Sequence, residues 1–197
     1  ATDTAVITIT VIGINDAPVA VADTDSVQVS STVTDTTNSA GTVISDDTDA
    51  DDSSSLTVTA IQHSGAGSAT SVTAGTTRAD GASSVGTYGT LTIGADGTYT
   101  YAATESAANA ISAGSSETDT FTYTISDGNG GTDTATITIT ILGVNDAPSA
   151  SNDANAVDED ATATKTAGTG VLSNDSDADT GSSMTVTAIT GASAGSV

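Results

Sequence analysis

Five aspartates crowd into the seven residues Asp46, Asp47, Asp49, Asp51 and Asp52, and a second copy of the segment keeps the alternate set as Asp175, Asp177 and Asp179. Carboxylates held this close repel one another unless a cation lies between them. Ca²⁺ takes about six to eight oxygen ligands and prefers carboxylates and carbonyls, whereas Mg²⁺ demands tighter octahedral geometry and gives up its water reluctantly. The D-x-D-A-D spacing therefore suits a loop that curls its side chains toward one calcium ion. The alternative is a solvated acidic loop.

A second cluster lies at Gly13-Ile14-Asn15-Asp16-Ala17-Pro18 and again at Gly143-Val144-Asn145-Asp146-Ala147-Pro148. Proline cannot donate to a strand ladder and restricts its predecessor to extended geometry, so it ends one strand and stiffens the crossing to the next segment. Asn15, Asp16, Asn145 and Asp146 are placed to offer oxygens at that crossing. The same residues also suit a turn-forming Asx-Pro segment with no ion. A third candidate, Asp127-Gly128-Asn129-Gly130-Gly131-Thr132-Asp133, lacks the downstream glutamate of an EF-hand and reads as a plain hairpin turn.

The charge balance agrees with a cation partner. With 25 acidic and 2 basic residues the formal net charge is -23. Nearly every carboxylate thus lacks an internal Lys or Arg, and a phosphate backbone, which requires clustered cations, is excluded as a partner. There is no Cys, so disulfides and thiolate metal sites are excluded too. No apolar run reaches the roughly 18 residues of a membrane span, and the first residues show no signal peptide.

Catalysis has little to build on. The single histidine, His63, borders a Ser- and Gly-rich stretch and reads as an exposed loop residue without oriented partners. Paired carboxylates can hydrolyse glycosides, but a sugar cleft needs aromatic platforms. Tyr99, Tyr101, Phe121 and Tyr123 fall at strand spacing, which makes them core. The expectation is a protein that is not an enzyme.

The elements that position these clusters recur. Asp3–Asp23 (DTAVITITVIGINDAPVAVAD) returns at Asp133–Asp153 with an offset of 130, and the segment from Val43 returns from Val171 with an offset of 128. These are whole-unit repeats. Taking the Asn-Asp-Ala-Pro motif as boundary, residues 1–14 are the last strand of one unit, 15–144 a complete unit and 145–197 the first part of a third. Head-to-tail completion of the two partial units would still lack any counterpart of residues 63–132.

Period-two alternation marks strands at Ala5–Ile14, Leu56–Ile61, Thr90–Ile93, Thr98–Tyr101, Thr120–Ile125 and Ala135–Leu142, with Ile, Val, Tyr or Phe on one face and Thr on the other. Ala95-Asp96-Gly97 and Asp127–Gly131 supply hairpin chemistry. The fold class is all-β, tandem antiparallel sandwiches. Gln62–Gly86 reads as a long loop, with room for its own hairpin, and Ala102–Gly114 as a turn or short helix.

The runs Gly86–Tyr101 (GTYGTLTIGADGTYTY), Glu117–Gly128 (ETDTFTYTISDG) and Gly143–Pro148 resemble the VCBS-type, cadherin-like repeats of giant bacterial surface adhesins, and the resemblance covers the whole chain. It implies Ig-like sandwiches in a long array, RTX-type export by type I secretion to the extracellular bacterial surface, and Ca²⁺ rigidifying the array. It further implies that Asn145-Asp146 is a cadherin linker element, Asp177-Ala178-Asp179 the D-A-D ligand pair, and Glu159 the acidic residue near a strand start. The complete unit matches at Asn15-Asp16 and Asp49-Ala50-Asp51, but Val29 stands opposite Glu159, one carboxylate short. Three functions remain open at this point: a calcium-stiffened stalk, whose partners are calcium ions and neighbouring repeats; a self-assembling filament or surface layer of many copies; and a calcium-dependent ligand-binding module. Lys165 is the only lysine, so isopeptide staples are not expected.

Overall fold

The computed structural model describes residues 1–30, 32–34, 42–51, 55–158 and 160–188, without side chains at 32–34 and 167. Among the described residues nine strands follow in chain order: β1 (Asp23–Gln28), β2 (Thr32–Thr34), β3 (Thr57–His63), β4 (Thr70–Ser71), β5 (Ala82–Val85), β6 (Thr90–Ile93), β7 (Tyr99–Ala102), β8 (Ser116–Ser126) and β9 (Thr132–Leu142). A single helical turn, α1 (Ser106–Asn109), lies between β7 and β8.

Two sheets form, one ordered β1-β9-β8-β3-β4 and the other β2-β7-β6-β5. The long β8–β9 hairpin pairs antiparallel from Ser116↔Leu142 to Ser126↔Thr132. Its alternation places Asp119, Phe121, Tyr123 and Ile125 of β8 and Ala135, Ile137, Ile139 and Ile141 of β9 in the interior. Leu91 and Ile93 of β6 and Tyr99 and Tyr101 of β7 meet them from the opposite sheet, all fully buried. Threonine occupies the alternate positions, where its branched Cβ suits the pleat and its hydroxyl stays toward water.

The sandwich expected from the alternation is therefore present, with details that the alternation does not carry. β1 runs parallel to β9, from Asp23↔Ile137 to Gln28↔Leu142, because the chain crosses to the other sheet before it returns as β9. In β3 the register to β8 shifts between Val58 and Ala60. That bulge brings both Val58 and Ile61 into the core, which strict alternation forbids for residues three apart. Within Gln62–Gly86 the chain forms β4 and β5, and α1 occupies the Ala-rich stretch before β8. The turn glycines Gly97 and Gly128 adopt φ of 78° and 77°, as their hairpins require.

Ala5–Ile14 shares the pattern of β9 but joins neither sheet, and Val6 and Ile9 are 90% and 81% exposed. β9 is buried because β1 and β8 flank it and the opposite sheet covers it; the residues before Asn15 have no such neighbours. Among the described residues after Asn145 the ordered pairing is the bridge Ser149↔Ser176. No helix among the described residues is long and apolar enough to cross a membrane.

Candidate functional site

The acidic loops gather at one pole of the complete unit. Residues 15–21 lead into β1, and Val19 and Thr48 exchange two main-chain hydrogen bonds of 2.7 and 3.0 Å, which pins the aspartate-rich loop beside the leading segment. The carboxylates then fold onto backbone donors. The Asp16 N–H donates to Asp51 Oδ2 at 2.9 Å, the Asp51 N–H to Asp49 Oδ1 at 2.7 Å, and the Val21 N–H to Asp47 Oδ1 at 2.7 Å. Asn15 donates through Nδ2 to the Asp16 carbonyl oxygen at 2.9 Å.

The second copy repeats this network bond for bond. Asn145 donates to the Asp146 carbonyl at 2.6 Å, the Asp146 N–H to Asp179 Oδ2 at 2.9 Å, and the Asp179 N–H to Asp177 Oδ1 at 2.9 Å. The Ser151 N–H donates to Asp175 Oδ1 at 2.7 Å, and Ser149 and Ser176 exchange bonds of 2.7 and 3.0 Å. The second network forms outside either sheet, so the pairing of the Asn-Asp-Ala-Pro and D-x-D-A-D segments does not depend on surrounding strands.

The hairpin between β8 and β9 is more than a turn. Asp127 Oδ2 accepts the Asn15 amide at 2.7 Å while Oδ1 accepts the N–H groups of Asn129 and Gly131 at 2.7 and 3.0 Å. These donors, the Asn15 amide first, hold its carboxyl below the usual range. Asp133 accepts the Ala20 N–H at 2.9 Å, which lowers its pKa as well. The D-x-N-x-G-x-D pattern was the available signal for both residues, but a plain hairpin satisfies it equally.

Deeper in the same pole, the Tyr123 hydroxyl lies 2.7 Å from the Val21 carbonyl, 3.0 Å from both the Val43 carbonyl and Asp23 Oδ2, and 3.4 Å from Asp47 Oδ1. One phenolic proton faces four acceptors. Burial and the neighbouring Asp23 and Asp47 raise the phenol pKa, and burial raises that of Asp47 against the opposing Val21 N–H.

Four carboxylate oxygens in the two networks are buried without a hydrogen-bond partner: Asp47 Oδ2, Asp49 Oδ2, Asp146 Oδ2 and Asp179 Oδ1. Asp47 and Asp179 are only 9% and 8% exposed. A buried acceptor left without a donor is costly, and its complement is a proton or a cation. The donor set, all carboxylate, amide and carbonyl oxygen, fits a hard divalent ion such as Ca²⁺. Among the described residues, however, no three acidic or histidine side chains converge on one point. Glu159 and Asp52 lie outside the described residues, and Val29, opposite Glu159 in the repeat, is buried in the core.

His63 is not the exposed loop residue that its surroundings suggest. It ends β3 with its side chain 13% exposed, its ring 5.2 Å from Phe121 and Nε2 3.5 Å from Asp119 Oδ1. Asp119 also accepts the N–H groups of Thr87, Tyr88 and Gly89 at 2.9, 3.0 and 3.2 Å and the Tyr101 hydroxyl at 2.6 Å. Its oxygens are consumed in holding the β5–β6 turn to β8, which makes the group a structural anchor.

A family model described as the bacterial cadherin-like domain matches residues 15–143. No curated protein matches the chain.

Proposed function

Because the chain belongs to the bacterial cadherin-like domain family, we propose that it is a calcium-stiffened extender repeat of a large secreted bacterial adhesin. Domains of this family occur in surface and extracellular proteins. The carrying observation is the recurrence, at both unit openings, of one hydrogen-bond network that leaves buried carboxylate oxygens without donors.

In this reading Asn15, Asp16, Asp47, Asp49 and Asp51 hold one ion, with Asp127 orienting Asn15, and Asn145, Asp146, Asp175, Asp177 and Asp179 hold another. Bound calcium supplies the positive charge that the chain lacks. The backbone N–H groups of Val21 and Asp51 each fix one oxygen, of Asp47 and of Asp49, which aims the other oxygen of each. At low calcium the repelling aspartates weaken the fold, which suits export before folding; outside the cell the ion relieves the repulsion. Binding confined to the folded form stabilises by about 2.7 kcal/mol per site at a hundredfold excess over Kd, or about 5–15 °C in melting temperature for a unit of this size.

Melting the chain by circular dichroism with chelator and with millimolar calcium tests this. The wild type gains several degrees, and Asp47→Asn, Asp49→Asn and Asp51→Asn combined lose most of the gain. An undiminished gain in the triple variant places the ion elsewhere, and no gain in the wild type removes it. A filament of many copies is the second reading, favoured by the outer edge of β5, where Val85 is 62% exposed. Sedimentation under calcium separates the two: a stalk repeat stays monomeric, whereas a filament subunit grows to high mass.

A further inference from the structure

The contact between the complete unit and the segment that follows it contains a part with no carboxylate. The loop after α1, Ala110–Ser115, is touched from two sides. From one side comes the linker: the Gly143 N–H donates to the Ser115 carbonyl at 3.0 Å, and the backbone lies so close that a Cβ on Gly143 would collide with the carbonyl oxygens of Ile111 and Ser112. From the other side comes the D-A-D loop of the following unit. The Thr180 N–H donates to the Ala110 carbonyl at 3.1 Å, and the Ser112 hydroxyl donates to the Thr180 carbonyl at 2.9 Å. Both main-chain groups of Thr180 are therefore engaged by the preceding unit.

Thr180 directly follows Asp179, whose Oδ2 accepts the Asp146 N–H. Ala110–Ser115 thus grips the same loop that the linker aspartate grips, but from the other unit and through neutral groups. Ile111 anchors the seat, 5% exposed in the core cluster, and the Ile111 N–H bonds to the Ala108 carbonyl at 3.0 Å, so the seat moves with the sandwich rather than with the linker.

We propose that Ala110–Ser115 is a docking seat for the D-A-D loop of the following repeat, an ion-free interface that sets the angle between neighbouring units. The neutral hydrogen bonds need no charge compensation, so the seat remains engaged when calcium is withdrawn. Calcium then stiffens a joint whose direction the seat has already chosen. This goes beyond the calcium reading and does not require it.

The chain has no cysteine, so Val85→Cys and Val171→Cys, both exposed positions, place a pair of spin labels on the two sides of the joint of the full chain. Their distance distribution is measured in chelator and in calcium, for the parent and for Ser112→Ala and Gly143→Ala. The expected result is a narrow distribution in chelator for the parent. Ser112→Ala raises the undocked fraction about five-fold, the population change that one lost hydrogen bond brings, and Gly143→Ala broadens the distribution further. Ser112→Ala leaves the melting of the sandwich unchanged, so the seat is read separately from folding. A parent distribution that is broad in chelator, or one that Ser112→Ala leaves unaltered, overturns the proposal.

Discussion

Two kinds of aspartate coexist in this chain, and their hydrogen-bond partners tell them apart. Asp119 is 1% exposed and fully used, with three backbone N–H groups and the Tyr101 hydroxyl on its oxygens. Asp47, Asp49, Asp146 and Asp179 each keep one buried oxygen without a donor. The first kind is complete in the chain itself; the second is not. Asp119→Ala strands buried donors and is expected to cost about 3–5 kcal/mol, read as a lower urea midpoint at unchanged slope. A loss below 1 kcal/mol would mean that water replaces the carboxylate there. The D-x-D-A-D cluster stood out in the sequence because its members are adjacent. Asp119 did not, although alternation puts it on the same face as Phe121, because its donors come from Thr87–Gly89, some thirty residues earlier.

At the scale of elements, the β8–β9 hairpin organises the sandwich, since β1 joins it on one side and β3 on the other. Tyr123 extends that role beyond packing: its hydroxyl reaches the carbonyls of Val21 and Val43, which lie on segments entering from outside the hairpin. Tyr123→Phe keeps the ring and removes that donor, with an expected cost of about 1–2 kcal/mol from acceptors left unpaired. Hydrogen exchange should then quicken near Val21 and Val43 while β8 stays protected. Equal loosening along β8 would show instead that the hydroxyl supports the hairpin itself. β6–β9 were legible as alternating runs. β1 was not, because DTDSVQ carries only one large apolar residue, and its place beside β9 comes from the crossover.

For the whole molecule the governing quantity is the charge of -23. In chelator the raised pKa of Asp47 means that the folded form holds its proton more tightly than the unfolded form. Stability therefore increases as pH falls from neutrality through that raised value. The lowered pKa values of Asp127 and Asp133 act in the opposite sense. Their contribution is complete above the ordinary aspartate value of 3.8 and is lost as pH falls below it. Melting temperature in chelator is thus expected to rise on mild acidification and to fall in stronger acid. Calcium should flatten or reverse the rise, because protons then compete with the ion. A chelated protein whose stability only declines with acid would show that Asp47 is not strained at neutral pH.

The repeat, the β class, the acidic loops and the junction motif were determined by the sequence alone, because each is expressed over short distances: a period of two, a proline, a run of aspartates. The pairing of the two motifs across some thirty residues was not legible, although its second appearance outside either sheet shows that it needs no surrounding strand. Tertiary structure decided what depends on distant partners. It turned His63 inward against Phe121, drew Asp127 and Asp133 to the unit's opening, bulged β3 so that Val58 and Ile61 share one core, and set Thr180 on the loop after α1. In each case the deciding interaction joins residues far apart along the chain, where local pattern carries no information about which groups will meet.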